Sequence, residues 1–381
     1  MPEAKENARL IFAASENCAD LRYESGFSAP DPFLWFEVSG QRTIIVSALE
    51  FSRAQKECRV GTEVICTEDV KTRFGLRNVP VSSASEQICA ISRSLGVHHW
   101  QVPDNFPLGL AQKLTKRRIR LSTLNPFSPQ RAIKTEAEIA AIQEAVQLAE
   151  IGLQCAENIL RQSRIGKDNL LFWQNEILTA EILRGEIDAE IARAGGIAQG
   201  TICAPGRQGA DPHQVGTGAI HAHEPIALDI FPRSKRSGYH GDLTRTWVKG
   251  KASDYVWRAF KAVQQAQKNA LQALKPGVSG KDIHQGVVDL FKERGFETVM
   301  GGGVTPRGFF HSTGHGLGLE VHEAPSLSLR NEAPLQTGHV VTVEPGLYYP
   351  EWGGVRLEDV AVLTDTGCRN LTKAPIFLEI P

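Results

Sequence analysis

The chain has 381 residues, of which 42 are basic and 43 acidic, for a formal net charge of −1. That length exceeds one ordinary domain of roughly 150 residues and sets an expectation of two. The balanced charge leaves no basic excess to neutralise phosphates and excludes nucleic acid as a general partner. A hydrophobic fraction of 41% against 22% charged suits a chain with a packed core rather than a disordered one.

Short apolar segments at 43–47 and 60–66, mixed with helical stretches, predict a small α/β domain over residues 1–130. The longest strongly apolar run, around 44–49, falls far below the roughly 20 residues of a membrane-spanning helix. The opening Met1-Pro-Glu-Ala-Lys-Glu-Asn lacks the basic-then-apolar order of a signal peptide, so no membrane association is expected. Seven dispersed cysteines without a Cys-x-x-Cys pair read as reduced thiols of a cytoplasmic protein. The two prolines of Leu124-Asn-Pro-Phe-Ser-Pro-Gln mark a linker, and residues 131–381 form the second domain. It opens with Thr135-Glu-Ala-Glu138, a capping box. Ile139, Ile142, Val146, Ala149, Leu153, Ala156 and Leu160 then trace one face of a long helix. A second helix is predicted over 168–193, followed by strands up to Val248. The order then repeats. Ser253 caps a helix that Pro276-Gly277 stops, another helix ends at Gly295, and strands run to about Leu363. Two helices then strands, twice over, predict an α+β domain of two pseudo-equivalent halves, with ordinary α+β alternation as the alternative.

Nine of the eleven histidines lie between 213 and 339, which places the chemistry in the second domain. In that region Glu224-Pro-Ile-Ala-Leu-Asp-Ile-Phe alternates as a strand, 232–238 is a polar turn, and 239–247 returns. With the turn centred between 235 and 236, Asp229 and Asp242 are expected to face each other. A second hairpin runs from His339 to Glu344 and returns from Val355 to Val362. Its midpoint at 351 sets Glu344 opposite Glu358. Like charges opposed across a ladder are destabilising unless a proton or a cation compensates them. Surface hairpins with solvated acids are the bland alternative. Between the hairpins lies Phe309-Phe-His311-Ser-Thr-Gly-His315-Gly-Leu-Gly-Leu-Glu-Val-His322. Three histidines among glycines favour metal binding or proton transfer. Four ionised carboxylates carry about −4, a charge that two divalent cations balance. Oxygen-rich ligation suits manganese, with cobalt and zinc as alternatives. Two such ions can hold a hydroxide and polarise a carbonyl.

Five segments in order carry a resemblance: Leu228-Asp229, Gly241-Asp242-Leu-Thr-Arg-Thr, Gly314-His315-Gly-Leu-Gly-Leu-Glu-Val-His322, Val343-Glu344-Pro-Gly-Leu-Tyr and Val355-Arg356-Leu-Glu358-Asp. They resemble the metallopeptidase family of aminopeptidase P, prolidase and methionine aminopeptidase, with its pita-bread fold, over residues 131–381. Asp20-Leu-Arg-Tyr-Glu-Ser-Gly-Phe27 resembles the creatinase-type accessory domain and points to the Xaa-Pro-cleaving branch. The resemblance implies that Asp229 binds one metal, that His315 and Glu344 bind the other, and that Asp242 and Glu358 bridge. It implies Glu344 as the proton shuttle of the bridging hydroxide and Arg356 as the partner of a metal-bound aspartate. It further implies His322 at the scissile carbonyl, His311 in the pocket beyond the cleaved bond and His213 facing the substrate. His221 and His223 compete with His213 for that role.

The expected activity is removal of the N-terminal residue from peptides with proline at the second position, by a homodimer. The alternatives are an Xaa-Pro dipeptidase, a metal-dependent lyase and a non-catalytic binding module. The glycine run Gly301-Gly-Gly303 weighs towards an open path and hence the aminopeptidase. Arg307 is the candidate clamp for a dipeptide's carboxylate.

Overall fold

The computed structural model describes residues 8–76 and 81–381, and the chain divides into two units at Arg131 and Ala132. The first unit is built on a six-stranded sheet. Its order is Thr62–Cys66, Gln41–Val46, Phe33–Val38, Arg9–Ala13, His99–Val102, Arg120–Thr123. Side chains alternate across a strand. Leu34 and Phe36 therefore join one core with Ile88, Ile91 and Trp100, while Trp35 joins another with Leu21, Ile44 and Phe127. Burial on both faces explains why Phe33 to Val38 reads as almost unbroken apolar sequence.

The second unit begins with the helix Glu136–Gln162. Thr135 and Glu138 cap it reciprocally, and the seven apolar positions of its expected face are buried. The helix predicted over 168–193 is only half a helix. Its first part is a three-stranded sheet, Arg164–Ile165, Leu171–Trp173 and Glu176–Ile177, and the helix is Ala180–Arg193 with Thr179 as its cap. Asp168, Asn169, Gln174 and Asn175 all take positive φ, which tight turns accept and a right-handed helix does not. The second helix pair is Asp254–Ala273, capped by Ser253, and Gly280–Glu293.

Each helix pair covers its own sheet. The first pair packs Leu153, Leu160, Leu183, Ile187 and Ile191 onto Ile226, Leu228 and Trp247. Those residues belong to a four-stranded sheet ordered Ile202–Pro205, Pro225–Asp229, Thr244–Lys249, Glu379–Ile380. The second pair packs Phe260, Val263, Ile283 and Val287 onto Val341, Val343 and Ala361. That sheet is ordered Glu323–Leu327, Gly314–Gly316, Val340–Val343, Asp359–Leu363, Cys368–Asn370. No helix among the described residues is long and apolar enough to cross a membrane.

The two hairpins meet their expectations differently. In the second, Val343 pairs with Asp359 and Gly346 with Arg356, so one register runs through both ladders and sets Glu344 and Glu358 opposite each other at the break between them. In the first, Asp229 pairs with Thr244 rather than Asp242. The turn is centred one residue later than its sequence suggests, as the Arg233–His240 bridge and the Ile230 N–H to Leu243 carbonyl bond show. A one-residue slip at the turn moves the pairing by two, so Asp242 is the diagonal neighbour of Asp229, on the same face.

Candidate active site

The sheet ends converge on a cleft of about 900 Å³. Asp229, Asp242, Glu344, Glu358, His213, His311, His315, His322 and Arg356 all line it. His221 and His223 do not line it; His221 bridges Leu170, and His223 bonds the backbone of Lys251. Arg307 stands in an exposed loop, 3.8 Å from Glu351, and is not part of the lining.

Asp242, His315 and Glu358 offer donor atoms that lie within 4.8 Å of one another. His315 Nε2 is also 3.3 Å from Glu344 and 3.7 Å from Asp242. The Nδ1–H of His315 donates to the Gly316 carbonyl at 3.2 Å, which leaves the Nε2 lone pair facing the carboxylates, the tautomer a metal ligand needs. Burial lowers its pKa to about 4, with the charge of His322 adding to the effect. The acids move the other way. Burial and the charges of Asp229 and Glu344 raise Asp242 well above the carboxylate range; burial and Asp242 do the same to Glu358. Burial pushes Glu344 up to about 8, although Arg356 opposes the shift. Asp229 Oδ1 is buried without a hydrogen-bond partner. Crowded, desolvated carboxylates, one orphaned oxygen and one imidazole lone pair form a donor set that fits a divalent cation. Asp242, His315 and Glu358 are its nearest donors, and Asp229 and Glu344 flank them.

Side chains behind the acids hold them in place. The Thr244 hydroxyl donates to Glu358 at 2.7 Å. Arg245, fully buried, pairs with Asp359 at 2.8 Å and donates to the carbonyls of Thr244, Glu358, Ala374 and Pro375. It thereby ties the strand after Asp242 to the strand after Glu358. Arg356 is also buried, and its Nη2 donates to Asp229 Oδ2 at 2.7 Å. Its Nη1 donates to the hydroxyl of Tyr348 at 2.8 Å, and that hydroxyl donates in turn to His311 Nε2 at 2.8 Å. The direction follows from the other ring nitrogen, because His311 Nδ1–H must donate to the Ser312 carbonyl at 2.7 Å. Burial, with Arg356 nearby, lowers His311 to about 3 and keeps it neutral. Tyr348, Thr244 and Arg245 were given no role by sequence reasoning. Tyr348 sits four residues after Glu344 inside the fourth resemblance segment but carries no charge to single it out. A side chain at Gly346 would strike its hydroxyl, which explains the glycine of Pro345-Gly346 better than a turn does.

His213 stands on an exposed loop braced from three sides. Glu181 accepts from the Gly218 N–H, Arg184 donates to the Val215 and Gly216 carbonyls, and the Gln208 amide bonds Thr217. Gly216, at φ +85°, lies so close to the Cys203 carbonyl that a Cβ would overlap it.

The family model for metallopeptidase family M24 matches residues 140–365, a span that holds the whole donor set. The chain belongs to metallopeptidase family M24. Within that family, the Xaa-Pro dipeptidase of Pyrococcus furiosus is 32% identical over 64% of this chain and 64% of its own length. Among solved structures, the Xaa-Pro dipeptidase from Bacillus anthracis superposes with a TM-score of 0.82 at 25% identity, covering 98% of this chain and 95% of its own. The X-Pro aminopeptidase from Thermotoga maritima superposes at 0.80 and 25% identity, covering 98% and 97%. These likenesses establish the pita-bread architecture for this M24 chain.

Proposed function

We propose that this chain hydrolyses Xaa-Pro dipeptides, using two divalent cations held by Asp229, Asp242, His315, Glu344 and Glu358. The observation that carries this reading is the single cleft in which those five residues meet His213, His311 and His322. The relatives named dipeptidase favour the dipeptide over the longer substrate expected from the glycine run. When bound, the cations supply Lewis-acid polarisation of the scissile carbonyl and acidify the attacking water. Glu344 takes one proton from that water as its oxygen adds to the carbonyl carbon. It returns the proton to the proline nitrogen as the C–N bond breaks. The transfer is needed because an Xaa-Pro bond is a tertiary amide, whose nitrogen must be protonated to leave. His322 donates to the carbonyl oxygen as negative charge develops there. Neutral His311, oriented by Tyr348, lines the proline side of the cleft. His213 faces the substrate from its braced loop, and Arg356 orients Asp229. Oxygen-rich donors favour manganese, with cobalt or zinc as substitutes. A cytoplasmic homodimer, with the first unit as a creatinase-like accessory domain, completes the proposal.

A second reading, Xaa-Pro aminopeptidase, rests on a specific feature. Arg356 is the one guanidinium or ammonium lining the cleft among the described residues, and it is committed to Asp229 and Tyr348. The free carboxylate of a dipeptide must find its cation elsewhere, for which a partner subunit is the natural source. Turnover of an Xaa-Pro dipeptide and an Xaa-Pro-Xaa tripeptide should be compared under one manganese condition, alongside elemental analysis. Dipeptide cleavage with about two ions per chain is expected. Cleavage of the tripeptide alone reverses the choice, and turnover of neither in a metal-loaded protein rejects both.

A further inference from the structure

Outside the donor set, a deeply buried ion pair near the cleft joins Lys134 Nζ to Glu323 Oε1 at 2.7 Å, with side-chain exposures of 1% and 8%. Both residues lie in the second unit, 189 positions apart in sequence. A buried pair gains little net stability over an apolar one, because desolvation cancels most of its attraction, but losing one partner is costly. Its value is positional, and its position is specific.

Glu323 directly follows His322 and pairs with Gly316, which directly follows His315. The pair of Gly316 and Glu323 therefore closes the loop 317–322 between the two histidines, whose rings stand perpendicular with centroids 4.4 Å apart. His322 is exposed to the cleft, whereas the neighbouring Glu323 carboxylate points back under the loop. Gly318 makes room for it, since a Cβ there would overlap that carboxylate. At the other end, the Lys134 N–H donates to the Gly338 carbonyl at 2.9 Å, and Ile133 bridges His339. Lys134 is thus fixed to the approach of the strand Val340–Val343, the strand that leads into Glu344.

We infer that the Lys134–Glu323 ion pair is a positioning device for His322, tying the loop 317–322 to the backbone that delivers Glu344. The inference rests on the role proposed above for His322. Neither member of the pair touches the reacting atoms. Glu323 fixes the chain one residue from His322, and Lys134 fixes Glu323. The His315 backbone is held separately, by the Thr342 hydroxyl at 3.0 Å, so the donor set does not depend on the pair.

The test uses the full-length, manganese-loaded protein carrying Glu323→Gln or Lys134→Met, with Lys134→Arg as the conservative replacement. Three readouts are taken: amide hydrogen exchange over 317–322, kcat and KM on an Xaa-Pro dipeptide, and metal content. Exchange in the loop should quicken at least tenfold in Glu323→Gln, while that of 340–343 and the metal content stay unchanged. Turnover should fall about 10- to 100-fold, the scale set by misplacing a reacting group. The fall should appear in kcat and kcat/KM alike, since the contact matters only as charge develops. Lys134→Arg should restore most of it. In a His322→Ala background, Glu323→Gln should cost nothing further, because the group it positions is gone. Unchanged exchange over 317–322, or an equal loss of turnover in both backgrounds, overturns the inference. If Lys134→Met does not yield folded protein, Glu323→Gln, which keeps the side chain's shape but removes the charge that holds Lys134, carries the test alone. A wild-type protein inert towards every Xaa-Pro substrate defeats the proposed function, and the exchange measurement still decides the tether.

Discussion

In chelator, this protein should have a stability that falls as pH rises above neutrality. Glu344 holds its proton up to about pH 8 in the folded chain, against 4.5 for the ordinary side chain. Between those values the folded state binds more protons than the unfolded one, so unfolding releases protons and stability drops with increasing pH. The histidines act in the opposite direction. His311, at about 3, and His315, at about 4, are neutral in the fold and charge on unfolding below 6.5. They therefore add stability as pH rises towards 6.5 and nothing beyond it. The window from 6.5 to 8 belongs to the carboxylates. Across it Glu344 alone contributes a loss of about 2 kcal/mol, and Asp242 and Glu358 shift the same way. Urea denaturation in chelator at pH 6.5 and 8.5 should resolve that loss as a lower midpoint. Saturating manganese should cancel or invert it, because the ion binds the deprotonated carboxylates, and Glu344→Gln should flatten it without metal. A metal-free protein equally stable at both pH values, or the same downward slope with manganese bound, would refute the reasoning.

Arg356→Met takes away the buried guanidinium that pairs with the partly buried Asp229. In chelator it should lower stability by about 3–5 kcal/mol, read as a fall in melting temperature, and a loss below 1 kcal/mol would show that the pair contributes little. Tyr348→Phe removes the hydroxyl that joins Arg356 to His311 but keeps the ring. It should cost about 1–3 kcal/mol and lower kcat about tenfold by freeing His311 to rotate. Unaltered kcat in folded Tyr348→Phe would remove that link from the mechanism.

The features legible in sequence were those written in short-range chemistry. The capping box at Thr135 and the helical stripe behind it need only neighbours three and four residues apart. The register of Glu344 and Glu358 was readable because the hairpin is symmetric about residue 351. Asp229 and Asp242 defeated the same reasoning, since the polar stretch 232–238 gives no sign of which residue sits at the turn's centre. The segment 168–177 carried enough apolar residues to pass for helix, and the positive φ of Asp168, Asn169, Gln174 and Asn175 turns it into a small sheet. His311, His315 and His322 stand out by their glycine-rich segment, and the fold lines the cleft with them and with His213 but not with His221 or His223. Tyr348, Arg245 and Lys134 could not be found by pattern. Arg245 and Lys134 pair with Asp359 and Glu323, 114 and 189 residues away, and nothing local distinguishes a buried cation from a solvated one; Tyr348 joins Arg356, eight residues on, to His311, 37 residues back.

The exposed glycine run 301–303 divides the donors by chain position. Asp229 and Asp242 come before it; His315, Glu344 and Glu358 come after. Thr244 and Glu358, bonded across the centre, are 114 residues apart. A cation bound there is a covalent crosslink in all but chemistry, stapling two stretches of chain that meet nowhere nearby in sequence. Backbone scission at 301–303 would sever the loop without removing a donor from either piece. The two fragments would then be joined by the metal and the sheets around it, and the ion would set how long the nicked protein stays whole.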